Sequence, residues 1–122
     1  MSFSPTLIKG SIAPVILSLL RDRAMYGYEM VKIVNARTGG KLQWREGTLY
    51  PALHKLEAMG LVKARWMDAP APTNGPRAGL SSGRSRKYYS ITRTGKAELV
   101  KRSDEWREFS DAINGLMSPE GA

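Results

Sequence analysis

A chain of 122 residues has room for one domain with a modest core, and its 42% hydrophobic content argues against wholesale disorder. With no cysteine it can hold neither a disulfide framework nor a thiolate metal or redox site, and no run reaches the roughly 18 apolar residues of a membrane span. The net charge of +8 and the absence of a basic, apolar, cleavable leader point to a soluble cytoplasmic protein with a polyanionic partner and no membrane.

Residues 1–10 read as an N-terminal arm. The run Ile12 to Leu20 is apolar nearly all round and predicts a first helix capped by Ser11, which puts Pro14 at a position where no intrahelical bond is lost. An earlier start would set Pro14 inside the helix and should kink it. A short helix that is apolar on every side wants two partners, its own domain and a second subunit. Arg21 to Met25 reads as a connection. A second helix is expected from Tyr26 or Gly27, with Tyr28, Val31 and Val34 along one side, and Thr38-Gly39-Gly40 ends it.

The bridge Lys41 to Arg45 leads into the most heavily signalled stretch, Glu46 to Leu61. Thr48 or Gly47 fits as the N-cap, with Pro51 then in the first turn. Leu49, Leu53 and Leu56 recur at i, i+4, i+7 and define a buried face, and Gly60 suits a helix stop. The opposite face offers Thr48, Tyr50, Pro51, His54 and Lys55. By itself this is an ordinary amphipathic helix. Two such helices joined by a compact Gly-containing link suit a helix-turn-helix.

Leu61 to Met67 alternates on a Val62, Ala64, Trp66 face, and Arg86 to Thr92 is a second strand candidate. Between them, residues 68–85 hold three Pro, three Gly and three Ser and read as a long flexible hairpin tip. This wing carries the charge. Leu61 to Lys96 contains eight basic residues against Asp68 alone, so +7 of the +8 lies in one third of the chain. Such concentration favours nucleic acid as the partner.

The last helix is expected from a Thr94 cap to about Gly115, with a tail from residue 118. Leu99, Trp106, Phe109, Ile113 and Leu116 follow the 3-4 spacing of a seam that packs on a partner helix, interrupted by Arg102. The expected fold class is therefore mainly α with a small β wing. Its parts are a winged helix-turn-helix over 11–93 (wing about 61–92) and a C-terminal dimerisation helix over 94–117.

Four stretches, in this order and spacing, resemble the short type of PadR-family transcriptional regulators. They are Tyr26-Gly27-Tyr28-Glu29, Glu46-Gly47-Thr48-Leu49-Tyr50-Pro51-Ala52-Leu53, Leu56-Glu57-Ala58-Met59-Gly60-Leu61, and Arg86-Lys87-Tyr88-Tyr89-Ser90-Ile91-Thr92-Arg93-Thr94-Gly95. The tip between the wing strands is longer than the family usually carries. The resemblance implies a homodimer whose first and last helices pack across a two-fold axis. It also implies repression by operator occupancy, relieved when an effector binds.

The expected DNA contacts are Arg45, Thr48, Tyr50, His54 and Lys55 around the third helix, with Lys63, Arg65, Arg84, Arg86 and Lys87 in the wing. Two roles fit Tyr50: its ring can reach DNA, or pack on the second helix and leave only the hydroxyl. His54 fits a base or phosphate contact and a solvated surface site equally. Tyr88 and Tyr89 read as strand packing residues. Val15, Ile16, Leu19, Leu99, Trp106, Phe109, Ile113 and Leu116 are expected at the dimer interface. There, paired Trp106 indoles either pack as core or form a slot for a flat aromatic effector. The expected partners are palindromic double-stranded DNA and a second copy of the chain. An alternative is a winged-helix module that binds protein or RNA without operator specificity. One histidine, no cysteine and no Gly-rich phosphate loop argue against an enzyme, and no cofactor is expected.

Overall fold

The computed structural model describes residues 3–68 and 85–118. Four helices, α1 (Pro5–Leu20), α2 (Gly27–Arg37), α3 (Glu46–Ala58) and α4 (Arg93–Met117), surround a small antiparallel sheet of β1 (Met25–Tyr26), β2 (Val62–Asp68) and β3 (Ser85–Ile91). The sheet order is β1-β3-β2, with β3 in the middle. This is a winged helix-turn-helix with a C-terminal helix.

The first helix starts six residues before Ser11, so Pro5 to Gly10, expected in an arm, are helical. Pro5 opens the helix, where its missing N–H costs nothing, and Ile8 and Ile12, one turn apart, pack against the core. That packing holds the extra turns even though Pro14 now lies inside the helix and removes one backbone bond. The segment before α1 is tied down as well, because the Phe3 N–H donates to the Lys41 carbonyl at 3.0 Å.

What read as a connection contains β1. Met25 and Tyr26 pair with Tyr89 and Tyr88 of β3 and so fasten the wing to the start of α2. In α2 the buried stripe is Gly27, Met30, Val31 and Val34, whereas Tyr28 stands exposed. Gly39 and Gly40, both at positive φ, close the helix. The turn into α3 is fixed by Asn35: its side-chain amide donates to the Trp44 carbonyl, and the Trp44 N–H donates to its Oδ1, both at 2.9 Å. Trp44 itself is in the core.

Leu49, Leu53 and Leu56 are buried, as their spacing predicts. The N-cap is Arg45 rather than Thr48 or Gly47, which makes Pro51 the sixth helical residue. At the other end Gly60 takes φ 76°. The Leu61 N–H reaches the Leu56 carbonyl and the Gly60 N–H the Glu57 carbonyl, each at 3.0 Å, which completes a Schellman stop.

The last helix is capped by Thr92, two residues before the expected Thr94: the Thr92 hydroxyl accepts from the Gly95 N–H at 3.0 Å. The same hydroxyl donates to the Gly60 carbonyl at 2.7 Å, and that second bond selects Thr92 over a residue with equal local capping ability. Close packing follows. A side chain at Gly95 would collide with the Leu61 carbonyl, so the helix can leave the wing only through a glycine.

Candidate nucleic-acid interface

On α3 the residues opposite the leucines are accessible: His54 and Lys55 are exposed and Thr48 is half-buried, and Arg45, the N-cap just before the helix, is exposed as well. Tyr50 takes the packing role. Its hydroxyl end lies over Gly27, where any side chain would meet it at 2.5 Å, and its ring comes within 6.4 Å of the His54 ring. Burial, then the Glu46 carboxylate and Tyr89, push the Tyr50 hydroxyl above its ordinary value, so it remains a protonated donor at neutral pH. Glu46 also occupies the first turn of α3, where its charge offsets the helix dipole. That turn is therefore a poorer phosphate seat than an uncharged helix start would be.

The wing divides its cations between two faces, because neighbouring residues on a strand point to opposite sides. Register pairs Lys63 with Ser90, Arg65 with Tyr88 and Met67 with Arg86 on the outer face. Here Tyr26 and Tyr88 meet edge to face at 5.4 Å and Arg86 lies over the Tyr26 ring at 4.5 Å. Lys63 and Arg65 are exposed. Lys87, paired with Trp66, is on the other face, turned toward α3, with its ammonium 3.9 Å from a Glu57 carboxylate oxygen. Adjacent in sequence, Arg86 and Lys87 thus leave the strand on opposite faces, yet both reach the rim of one cleft between α3 and the wing. Arg84 and nearly all of the expected tip lie outside the described residues.

Tyr89 is wholly buried and Tyr88 packs on Tyr26, as strand packing residues should. The inward Val62, Ala64, Trp66 face is only partly core: Val62 is buried, Ala64 half-buried, and Trp66 is 66% exposed. A seven-residue strand outruns the small core beneath it. Sequence periodicity places Trp66 on the correct face but carries no signal for where the core stops. Exposed Tyr28 and the Glu57 partner of Lys87 were missed for a related reason, since both depend on contacts distant in sequence.

The residues expected at a dimer interface separate into two groups. Ile16, Leu19 and Leu99 are buried in the core of their own chain and have little surface to give a partner. Periodicity cannot distinguish the two apolar sides of one helix, and these residues face inward. Val15 and Ile113 are half-buried, while Trp106, Phe109 and Leu116 are 51%, 58% and 83% exposed. The Trp106 and Phe109 rings stand 6.4 Å apart. Trp106 has a groove on either side. One of about 660 Å³ is lined by Val15, Leu19, Val34 and Leu42 with Arg37 and Arg107, and one of about 470 Å³ by Pro14, Arg102 and Phe109. Arg102, the interruption in the seam, is 3.7 Å from Glu98 one turn back. Among the described residues, no group of three or more His, Asp or Glu could hold a metal ion, and no helix is long and apolar enough to cross a membrane.

This arrangement is shared with other proteins. The family model for PadR-like transcriptional regulators matches residues 16–101. A transcriptional regulator from Clostridium thermocellum superposes with a TM-score of 0.78 at 28% identity, covering 95% of this chain and 99% of that one. A PadR family transcription regulator from Clostridium difficile gives 0.70 at 33% identity, over 89% of this chain and 100% of its own. An uncharacterized protein of Lysinibacillus sphaericus is 33% identical over 91% of this chain and 92% of its own length. With most of its length matched by the family model and by these relatives, the chain belongs to the PadR-like family of transcriptional regulators.

Proposed function

We propose that the chain is a homodimeric repressor of transcription that binds a palindromic DNA operator. The observation that carries this reading is the division of α3: three leucines anchor one side, while His54 and Lys55 stand exposed on the other, with Arg45 exposed just before the helix, beside the basic wing. In this reading α3 enters the major groove. Lys55 pairs with a guanine or a phosphate, Thr48 and the protonated Tyr50 hydroxyl donate to phosphate, and Lys63, Arg65 and Arg86 follow the backbone from the wing. The exposed row Trp106, Phe109, Leu116 supports a second copy packed along α4, with the two α3 helices in successive major grooves about 34–36 Å apart. The larger groove beside Trp106, with Val15, Leu19, Val34 and Leu42 in its lining, suits a flat aromatic effector, which would release the operator by favouring a different angle between the subunits.

The test begins with selection of bound fragments from genomic DNA, followed by affinity measurement across salt concentrations. Each phosphate contact should steepen the log–log slope by roughly 0.9. The double substitution Lys55→Ala with Arg86→Ala should remove most operator binding. Equal affinity for operator and scrambled sequence, undamaged by that double substitution, would leave a non-specific interaction module as the better description.

A further inference from the structure

Between α3 and the wing lies a cleft of about 390 Å³ lined by Tyr26, Tyr28, Tyr50, His54, Trp66, Ser85, Arg86, Lys87 and Tyr89. Its chemistry is unusual for a surface of this size. No carboxylate is among the lining residues, two carry fixed positive charge, and the rest offer aromatic surface, hydroxyls and an imidazole. Trp66 and Tyr28, on the wing and on α2, are 66% and 52% exposed. An indole so exposed contributes little to the core, and no ring contact holds Trp66 in place among the described residues. What such a cleft matches is a ligand with an apolar edge and an anionic group beside it. A deoxyribose followed by its phosphodiester has that pattern.

We propose that Trp66 is a DNA-contact residue, its indole lying against the deoxyribose of the strand that passes between α3 and the wing. This rests on the operator-binding reading, and adds to it a side chain that neither charge nor helix face would nominate. The geometry also assigns Lys87 a second position. In the free chain its ammonium faces Glu57 at 3.9 Å, a pair that is about one third exposed and correspondingly weak. The phosphate next to the Trp66-covered sugar is a stronger partner for that ammonium, because charge-assisted bonds to phosphate come with released counterions. Glu57 then opposes binding: it holds the cation in the free protein and repels the phosphate in the complex.

The two parts have different signatures. An apolar contact to sugar displaces no counterion, so Trp66→Ala should weaken operator binding about tenfold with the salt slope unchanged. Trp66→Phe should recover part of the loss. Glu57→Gln should tighten binding several-fold, the opposite sign from the loss expected if Glu57 only braced the wing.

Direct evidence comes from the full chain labelled with 5-fluorotryptophan. Its three fluorine resonances, from Trp44, Trp66 and Trp106, are assigned by single Trp→Phe substitutions. Saturation with the selected operator should shift and broaden the Trp66 resonance and leave buried Trp44 unmoved, with thermal melts showing that each variant is folded. A Trp66 resonance indifferent to saturating operator, or affinity within twofold for Trp66→Ala, overturns the proposal while the repressor reading stands. If the unsubstituted chain binds no selected fragment, the repressor reading fails first and takes this one with it.

Discussion

Two glycines carry opposite lessons about close packing. At Gly95 a Cβ would collide with the Leu61 backbone carbonyl and approach Ile91 Cγ1 to 2.7 Å, and a backbone atom cannot swing aside. At Gly27 the obstacle is the hydroxyl end of Tyr50, the far end of a side chain that can rotate. Gly95→Ala should therefore cost about 2–3 kcal/mol through overpacking and lower the Tm by roughly 10 °C. Gly27→Ala should cost less but displace Tyr50 from its packed position. A Gly95→Ala chain that melts within 2 °C or so of the original would show that α4 sits less tightly on the wing than described. Packing of Tyr50 on the second helix was one of the two roles its sequence position offered, but the Gly95 contact was not legible, because Leu61 is 34 residues away along the chain.

The elements divide by how local their causes are. The buried face of α3 and its stop at Gly60 were legible, because leucine spacing and a left-handed glycine act within a few residues. The strands β2 and β3 were legible for the same reason, with alternation extending through the register from Val62–Ile91 to Asp68–Ser85. The start of α1 was not: Ser4 makes no side-chain cap bond, and only tertiary packing of Ile8 and Ile12 reveals the extra turns. Two-residue β1 exists only by pairing with β3. The cap of α4 shows the boundary between these cases, since Thr92 and Thr94 are equivalent until the Gly60 carbonyl enters. Thr92→Ala should cost about 1–2 kcal/mol and expose the Gly95 amide to exchange with solvent. Hydrogen exchange at Gly95 that is no faster in the variant would remove Thr92 from this role.

At the scale of the whole molecule the exposed apolar row on α4 is legible from its spacing, whereas three residues expected beside it at an interface are buried within their own chain. Ile16, Leu19 and Leu99 stabilise the chain itself, and the apolar surface that stays exposed is the outer side of α4, with half-buried Val15 beside it. This sharpens what Trp106→Glu should do. Half of that indole is already in water, so a carboxylate there is tolerable in one chain and costly when two copies meet across a two-fold seam. The expected result is a folded monomer by circular dichroism and sedimentation, with operator affinity reduced at least a hundredfold. A variant that stays dimeric and competent for DNA would exclude the proposed packing along α4.

The joint at Thr92 has a mechanical meaning. In one place the Thr92 N–H holds the Leu61 carbonyl, its hydroxyl holds the Gly60 carbonyl, and Gly95 presses on Leu61. The end of α3, the start of β2, the end of β3 and the start of α4 are clamped together with no slack. A helix of 25 residues is a lever about 37 Å long, and its fulcrum is this clamp. A tilt of a few degrees at the far end must be absorbed in the peptide units around Gly60 or passed directly to α3 and the wing. No relay of intermediate side chains is needed to carry force between the two ends of the molecule, because the long helix, the end of α3 and the wing strands meet at the same pivot.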